Sequence, residues 1–141
     1  MKNLLLLVFA LILSHESYSQ KTSYYKYAAR EVGNKDDYLS NTTLQLSENG
    51  RTISISLNGK INSYSSMLGD IIQKDYNDNI IKIGSLEIKY DYSRRVEKVG
   101  ETSISYSNGR MEEIGKYDVI YDYNGKFQGT KEKVSNYNYR W

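Results

Sequence analysis

The sequence predicts an all-β fold, an antiparallel meander of β-hairpin repeats in an open or partly closed sheet. Three stretches that open at Gly84, Gly100 and Gly115 repeat one phrase, in which a Tyr follows the glycine by six residues. Asn-Gly followed by a basic residue occurs four times. Asn-Gly is the strongest short-range signal of a hairpin, because it suits a type I′ turn, which needs positive φ at both central residues. No stretch has a sustained 3.6-residue apolar period. A fixed period in which no unit can build its own core indicates a stacked or meandering β array.

The N-terminal residues, 1–19, are expected to form a cleaved signal peptide. Lys2 supplies a positive start, residues 4–13 are an apolar run, and the small residues Ser17 and Ser19 flank the expected cleavage site before Gln20. The apolar run is too short to span a bilayer, which needs ~20 residues. We therefore expect an exported protein, periplasmic or secreted, whose residues 20–141 form a single domain.

Composition excludes several kinds of chemistry. The chain has no Cys, and its one His, His15, lies in the predicted signal peptide. Ser–His and Cys–His nucleophile pairs therefore cannot form, and neither can Cys- or His-based zinc sites. Lys2 and Glu16 would be lost together, so the net charge stays at +2 and predicts no nucleic-acid partner. We expect no enzyme activity, no cofactor and no metal.

Upstream of the repeats, the elements are predicted from composition and turn signals. Residues 24–32 favour a first strand, with a short helix as the alternative. Residues 43–57 predict a hairpin around Asn49-Gly50. Residues 65–74 are expected to form a connecting segment, and residues 75–129 the β-hairpin repeat region.

Within the repeat region, the strands are predicted from alternation. Ile88, Tyr90 and Tyr92 are expected on one face of a strand, with Lys89 and Asp91 on the other. The same face recurs in the two later copies, at Ile104 and Tyr106 and at Val119, Tyr121 and Tyr123.

The return strands carry a recurring irregularity. Each has two apolar residues three positions apart, in the pairs Ile80/Ile83, Val96/Val99 and Met111/Ile114. A spacing of three places a pair on opposite faces of an ideal strand, so its recurrence predicts a β-bulge or an early turn before each glycine. Asn77-Asp78-Asn79 and Ser93-Arg94-Arg95 stand where two further hairpin turns are expected.

Residues 90–96 (YDYSRRV) and 121–127 (YDYNGKF) resemble the YD repeat of RHS-like proteins, which reads Tyr-Asp, two variable residues, Gly, Arg and an apolar residue. Arg94 replaces the Gly of that pattern, Lys126 replaces the Arg, and the copy at 106–111 lacks the Asp. The resemblance covers residues 75–129 and is nearest to small exported proteins with this phrase. It implies a hairpin-repeat architecture and a cell-surface or secreted setting, where carbohydrate binding has been attributed to the repeat; no catalytic residue carries over.

Two recurring sets of side chains are candidates for a binding surface. The tyrosines could stack on sugar rings or on a protein, and they are Tyr90, Tyr92, Tyr106, Tyr121 and Tyr123. The competing interpretation is that they make cross-strand contacts supporting a sparse core. The basic set, Arg95, Arg110 and Lys126, follows the turns and could bind anionic glycans or lipid headgroups; alternatively it protects a sheet edge.

Two other features suggest competing functions. Asp91 and Asp122 could form the carboxylate pair of a glycoside hydrolase, although repeated Asp residues more often bond the backbone of turns. The alternating Tyr137, Tyr139 and Trp141 resemble the assembly signal of outer-membrane β-barrels. Barrel strands need ~9–11 residues, whereas these repeat strands are read as about six.

We therefore expect an exported, non-catalytic β-repeat protein, a structural or binding module of the cell envelope or the extracellular space. Its partner would be an envelope polysaccharide or a protein. One alternative is a small outer-membrane β-barrel protein, for which alone membrane association is expected. The other is a secreted inhibitor or immunity-type protein that binds one protein target.

Overall fold

A computed structural model describes residues 25–28 and 35–134, with side chains from residue 38 onward. The predicted signal peptide and the C-terminal Tyr137, Tyr139 and Trp141 lie outside the described residues. The elements are one helix, α1 (Lys35–Asn41), and the strands β1 (Tyr25–Ala28), β2 (Thr43–Glu48), β3 (Arg51–Ser56), β4 (Ile61–Tyr64), β5 (Ile72–Lys74), β6 (Ile80–Ile83), β7 (Leu86–Tyr90), β8 (Val96–Val99), β9 (Thr102–Ser107), β10 (Arg110–Ile114), β11 (Tyr117–Tyr121) and β12 (Phe127–Glu132).

The strands form two antiparallel sheets, which confirms the predicted fold class. The smaller sheet has the order β1-β2-β3-β4, and the larger sheet runs from β5 to β12 in chain order. Every described strand pair is antiparallel. The larger sheet is an open meander, because its edge strands β5 and β12 do not pair with each other.

Of three upstream elements, one agrees with the sequence prediction and two differ from it. Residues 25–28 form the predicted first strand, and the rest of 24–32 lies outside the described residues. Helix α1 was not predicted, since seven residues are too few to show an apolar period. The expected connecting segment 65–74 ends in strand β5 (Ile72–Lys74), which is an edge strand of the larger sheet.

The four Asn-Gly pairs form two different turns. Asn49-Gly50 and Asn108-Gly109 have positive φ at both residues, as a type I′ turn requires. At Asn58-Gly59 and Asn124-Gly125 only the glycine has positive φ, so the type I′ prediction is wrong there. These two pairs belong to five-residue loops, 56–60 and 122–126, in which the first residue bonds the fifth.

The recurring three-residue spacing reflects β-bulges. The strand register slips by one residue after Ile80, Val96 and Met111, each the first apolar residue of its pair. The extra residue returns the second apolar side chain to the core side. Val96 and Val99 are consequently both fully buried, which confirms the predicted bulge.

The two sheets share one hydrophobic core, because the β2–β3 hairpin packs on the inner side of the larger sheet. Buried side chains of both sheets and of α1 form a single cluster. Backbone bonds also join the layers: the Val96 N–H donates to the Gly59 carbonyl at 2.9 Å, and the Met111 N–H donates to the Leu57 carbonyl at 2.6 Å. The arrangement fixes the 56–60 loop beside the loops of the larger sheet.

Candidate functional site

Five hairpin loops lie along one edge of the molecule. A meander places alternate connections at the same end of its strands, so the loops 75–79, 91–95, 108–109 and 122–126 all lie at one end of the strands of the larger sheet. The 56–60 loop joins them through the Gly59–Val96 bond. We call these five loops the tip row. The turns that open at Gly84, Gly100 and Gly115 lie at the opposite end of the strands.

In three loops of the tip row, the first residue is an aspartate whose side chain bonds the loop backbone. In Asp75, Asp91 and Asp122 the Oδ1 atom accepts the backbone N–H groups two and four positions later, at 2.8–3.0 Å. The fourth loop residue is left-handed in each case, with φ of +67° at Asp78, +62° at Arg94 and +80° at Gly125. These bonds are those of an Asx turn, and they confirm the turn interpretation of Asp91 and Asp122.

Asp91 is additionally engaged by a basic side chain. Its Oδ2 atom accepts a hydrogen bond from Arg95 Nε at 2.8 Å. Burial raises the pKa of Asp91, but the hydrogen bonds from the backbone and guanidinium of Arg95 outweigh it and hold the pKa below the ordinary value. A carboxylate held in this way is suited to closing a loop rather than to transferring a proton.

Acidification should therefore destabilise the protein. The hydrogen bond from the Asn79 side chain lowers the pKa of Asp75, and the hydrogen bond from Arg51 lowers the pKa of Asp70. A carboxyl whose pKa is lower in the folded chain than its unfolded value of ~3.9 contributes stability above that value. That stability is lost as the pH falls through the folded pKa. We expect the midpoint of thermal unfolding to stay level above about pH 5 and to fall below about pH 4.

An Asp91→Asn control separates this effect from general acid sensitivity. The variant should have a lower unfolding midpoint at pH 7 and should lose less on acidification than the wild type, because one linked carboxyl has been removed. A wild-type midpoint that stays constant down to pH 2.5 would contradict the assignment.

Three tyrosines of the candidate binding set hold the repeats together. The hydroxyls of Tyr90, Tyr106 and Tyr121 donate to the backbone carbonyls of residues ten positions earlier, Ile80, Val96 and Met111, at 2.6–2.8 Å. Each of these bonds thus ties the strand that carries the tyrosine to the beginning of the strand before it. Burial raises the pKa of Tyr90 to about 12 and also raises the pKa of Tyr106 and Tyr121.

The recurring arginines pack on the rings of two of these tyrosines. The Arg95 guanidinium lies 4.5 Å from the centre of the Tyr106 ring, and the Arg110 guanidinium lies 3.9 Å from the centre of the Tyr121 ring. Both distances are within cation–π range. Arg95 and Arg110 therefore pack on the sheet, whereas Lys126 is exposed on its loop; the three do not form one free basic edge.

The remaining tyrosines of that set point into solvent. Tyr92 is 107% exposed and Tyr123 is 97% exposed. Both were expected on a strand face, and that expectation is wrong: each strand ends two residues earlier, and the Asx turn carries the side chain out of the sheet.

Among the described residues, a fully exposed tyrosine was missed in the sequence. Tyr76 is 95% exposed and follows Asp75 as Tyr92 follows Asp91 and Tyr123 follows Asp122. The shared dipeptide Asp-Tyr was an available signal, but the loop 75–79 lacks a basic last residue and so falls outside the YD pattern. Tyr76, Tyr92 and Tyr123 thus occupy the same position in three loops of the tip row.

Comparisons with known proteins give no function. No family model, curated protein or solved structure matches the chain. In the described part of the chain, no helix has the length and apolar character needed to cross a membrane. The geometry of the tip row is therefore the basis for the functional proposal.

Proposed function

We propose that this protein is an exported, non-catalytic binding module that holds a protein partner against its tip row. The observation that carries the proposal is the complete exposure of Tyr76, Tyr92 and Tyr123 at one repeated loop position. The repeats anchor other tyrosines through hydroxyl bonds, but these three make no comparable contact among the described residues. Their side chains contribute nothing visible to the core, which is the expected property of residues kept for recognition.

The composition of the tip row resembles that of protein-binding loops. Beside the tyrosines, the five loops carry Asn, Ser and Gly, with a Lys or Arg in three of them. Loops that bind proteins use the same mixture, because Tyr provides rigid contact area at low entropic cost while Ser, Asn and Gly provide adaptable polar contacts.

The spacing of the loops also suits a protein. Neighbouring hairpins are two strands apart, so Tyr76 and Tyr92 are separated by about 10 Å and Tyr92 and Tyr123 by about 20 Å. The row therefore extends over about 30 Å, the scale of an interface of ~800 Å² per partner. Asn108-Gly109 interrupts the tyrosine series, which would break a stacking track for a linear polysaccharide but not a protein contact.

Site-specific photocrosslinking in the native host tests the proposal. A benzophenone amino acid at position 92 should give one discrete protein adduct, whereas the same group at the exposed Ser85, on the opposite edge, should not. A variant with Tyr76, Tyr92 and Tyr123 changed to Ser should no longer bind that partner and should keep its unfolding midpoint, because all three side chains are solvated.

Two results would contradict the proposal. Identical adducts from positions 92 and 85 would show that the tip row has no special role. Sedimentation of the protein with isolated cell-wall polysaccharide, lost in the triple Ser variant, would show that the tyrosines bind a glycan instead.

A further inference from the structure

A groove of about 720 Å³ separates the edge of the smaller sheet from the larger sheet. The consecutive residues 60–64, which include all of β4, form one wall. The other wall consists of Asp78, Asn79, Ile80, Tyr90 and Arg94. The volume of the groove lies within the range of ligand sites, ~300–1,000 Å³.

Strand β4 presents unpaired backbone groups to this groove. It is the edge strand of the smaller sheet and pairs with β3 on one side, where Tyr64 lies opposite Ile53. The next residue, Ser65, donates its N–H to the Thr52 carbonyl at 2.7 Å. Because the bonding groups of an antiparallel strand alternate in direction, the N–H and C=O of Tyr64 point into the groove. An open edge of this kind is a template for a further strand.

The groove carries an excess of positive charge. Lys60 and Arg94 line it and make no salt bridge within the described part of the chain. Its acidic residue, Asp78, is already paired, because Lys74 Nζ lies 2.9 Å from Asp78 Oδ1. Charge complementarity therefore favours an acidic occupant.

Arg94 occupies a backbone conformation that favours glycine. Its φ is +62°, and the equivalent position in the 122–126 loop is Gly125. An L residue there is strained while glycine is not, and strain of this kind concentrates at functional sites. An Arg at a position suited to Gly is explained if its charge is needed in the groove.

We propose that this groove accepts an extended, acidic segment of a partner protein, which adds to β4 as a fifth strand of the smaller sheet. The backbone of Tyr64 bonds the added strand, while Lys60 and Arg94 contact its carboxylates. The inference goes beyond the proposed function and does not rest on it. Lys60, Asp78, Asn79 and Arg94 belong to loops of the tip row, but the groove uses neither Tyr76, Tyr92 nor Tyr123.

An NMR titration of the full chain, purified as its host processes it, provides the test. The probe is the peptide Thr-Val-Glu-Val-Glu-Val-Thr, and its controls carry Lys in place of both Glu residues or Pro in place of the central Val. With the acidic peptide we expect saturable shifts at the Asn62 and Tyr64 amides and slower hydrogen exchange at Tyr64. The Lys peptide loses the charge contacts and the Pro peptide cannot complete the ladder, so both should fail to bind.

Two matched variants separate charge from strain. Arg94→Gly should raise the unfolding midpoint and weaken peptide binding about fivefold, the size of one exposed charge contact. Asp78→Gly relieves the same backbone strain, at φ +67°, and should raise the midpoint without weakening binding. The triple Ser variant of the tip row should bind the peptide normally, so failure here and failure of the proposed function can be told apart.

Several outcomes would overturn the inference. These are an absence of saturable binding by the acidic peptide, equal binding of the Lys peptide, and unchanged binding by Arg94→Gly. Shifts at Tyr76, Tyr92 and Tyr123 with none at Asn62 or Tyr64 would place the peptide elsewhere. Concentration-dependent shifts at Tyr64 without peptide would show that a second copy of the chain occupies the edge.

Discussion

Gly59→Ala should destabilise the fold by about 2–5 kcal/mol, measured by chemical unfolding. Gly59 has φ +89°, and a Cβ atom there would lie 2.5 Å from Arg95 Cβ and 2.9 Å from the Tyr106 ring. The left-handed backbone costs an L residue about 1–2 kcal/mol, and overpacking costs about 1–3 kcal/mol more. Arg95 cannot move away freely, because Asp91 and the Tyr106 ring hold its guanidinium.

Gly109→Ala is the matched control. Gly109 has φ +75°, close to that of Gly59, but no atom lies within 4 Å of the added Cβ. Its cost should be the backbone term alone, about 1–2 kcal/mol. Equal losses in the two variants would contradict the close contact between the 56–60 loop and the repeats.

The local features of the fold could be predicted because they depend on neighbouring residues. Asn-Gly located four hairpin connections, and the spacing of Val96 and Val99 indicated the bulge. The turn type was correct only at Asn49-Gly50 and Asn108-Gly109. At Asn124-Gly125 the Asp122 side chain bonds the loop backbone and selects a longer loop, a competition that the dipeptide alone does not reveal.

The stacking of the two sheets could not be predicted in the same way. The bonds from Val96 and Met111 to the 56–60 loop join segments far apart in sequence. Alternation describes which side of a strand is apolar, but it does not say which distant hairpin covers that side.

The candidate site was predicted only in part, because tyrosine has two different roles in this fold. Alternation assigned Tyr90 and Tyr92 to one face, whereas the strand ends at Tyr90 and Tyr92 belongs to the loop. A finer signal was present: each anchored Tyr follows the first apolar residue of a return strand by ten positions. Within the repeats, that interval marks the structural tyrosines, and a preceding Asp marks the exposed ones.

Tyr106→Ala and Tyr92→Ala should therefore have very different effects on the free energy of unfolding. Tyr106 bonds the Val96 carbonyl at 2.6 Å, supports the Arg95 guanidinium and packs against the core. Its truncation should cost about 2–4 kcal/mol, somewhat less than a fully buried aromatic residue. Tyr92 is fully exposed, so its truncation should change stability by less than about 0.5 kcal/mol.

Tyr106→Phe divides the loss at Tyr106 into its parts. The variant keeps the ring beneath Arg95 but removes the hydroxyl, so it should cost about 1 kcal/mol, the net value of one hydrogen bond. If Tyr92→Ala proved as destabilising as Tyr106→Ala, the exposed tyrosines would be needed for folding. Their exposure would then no longer support a binding role for the tip row. If Tyr92→Ala leaves stability unchanged and the partner no longer binds, tyrosines on the strands serve folding and tyrosines in the loops serve binding. The position of each tyrosine then decides its role.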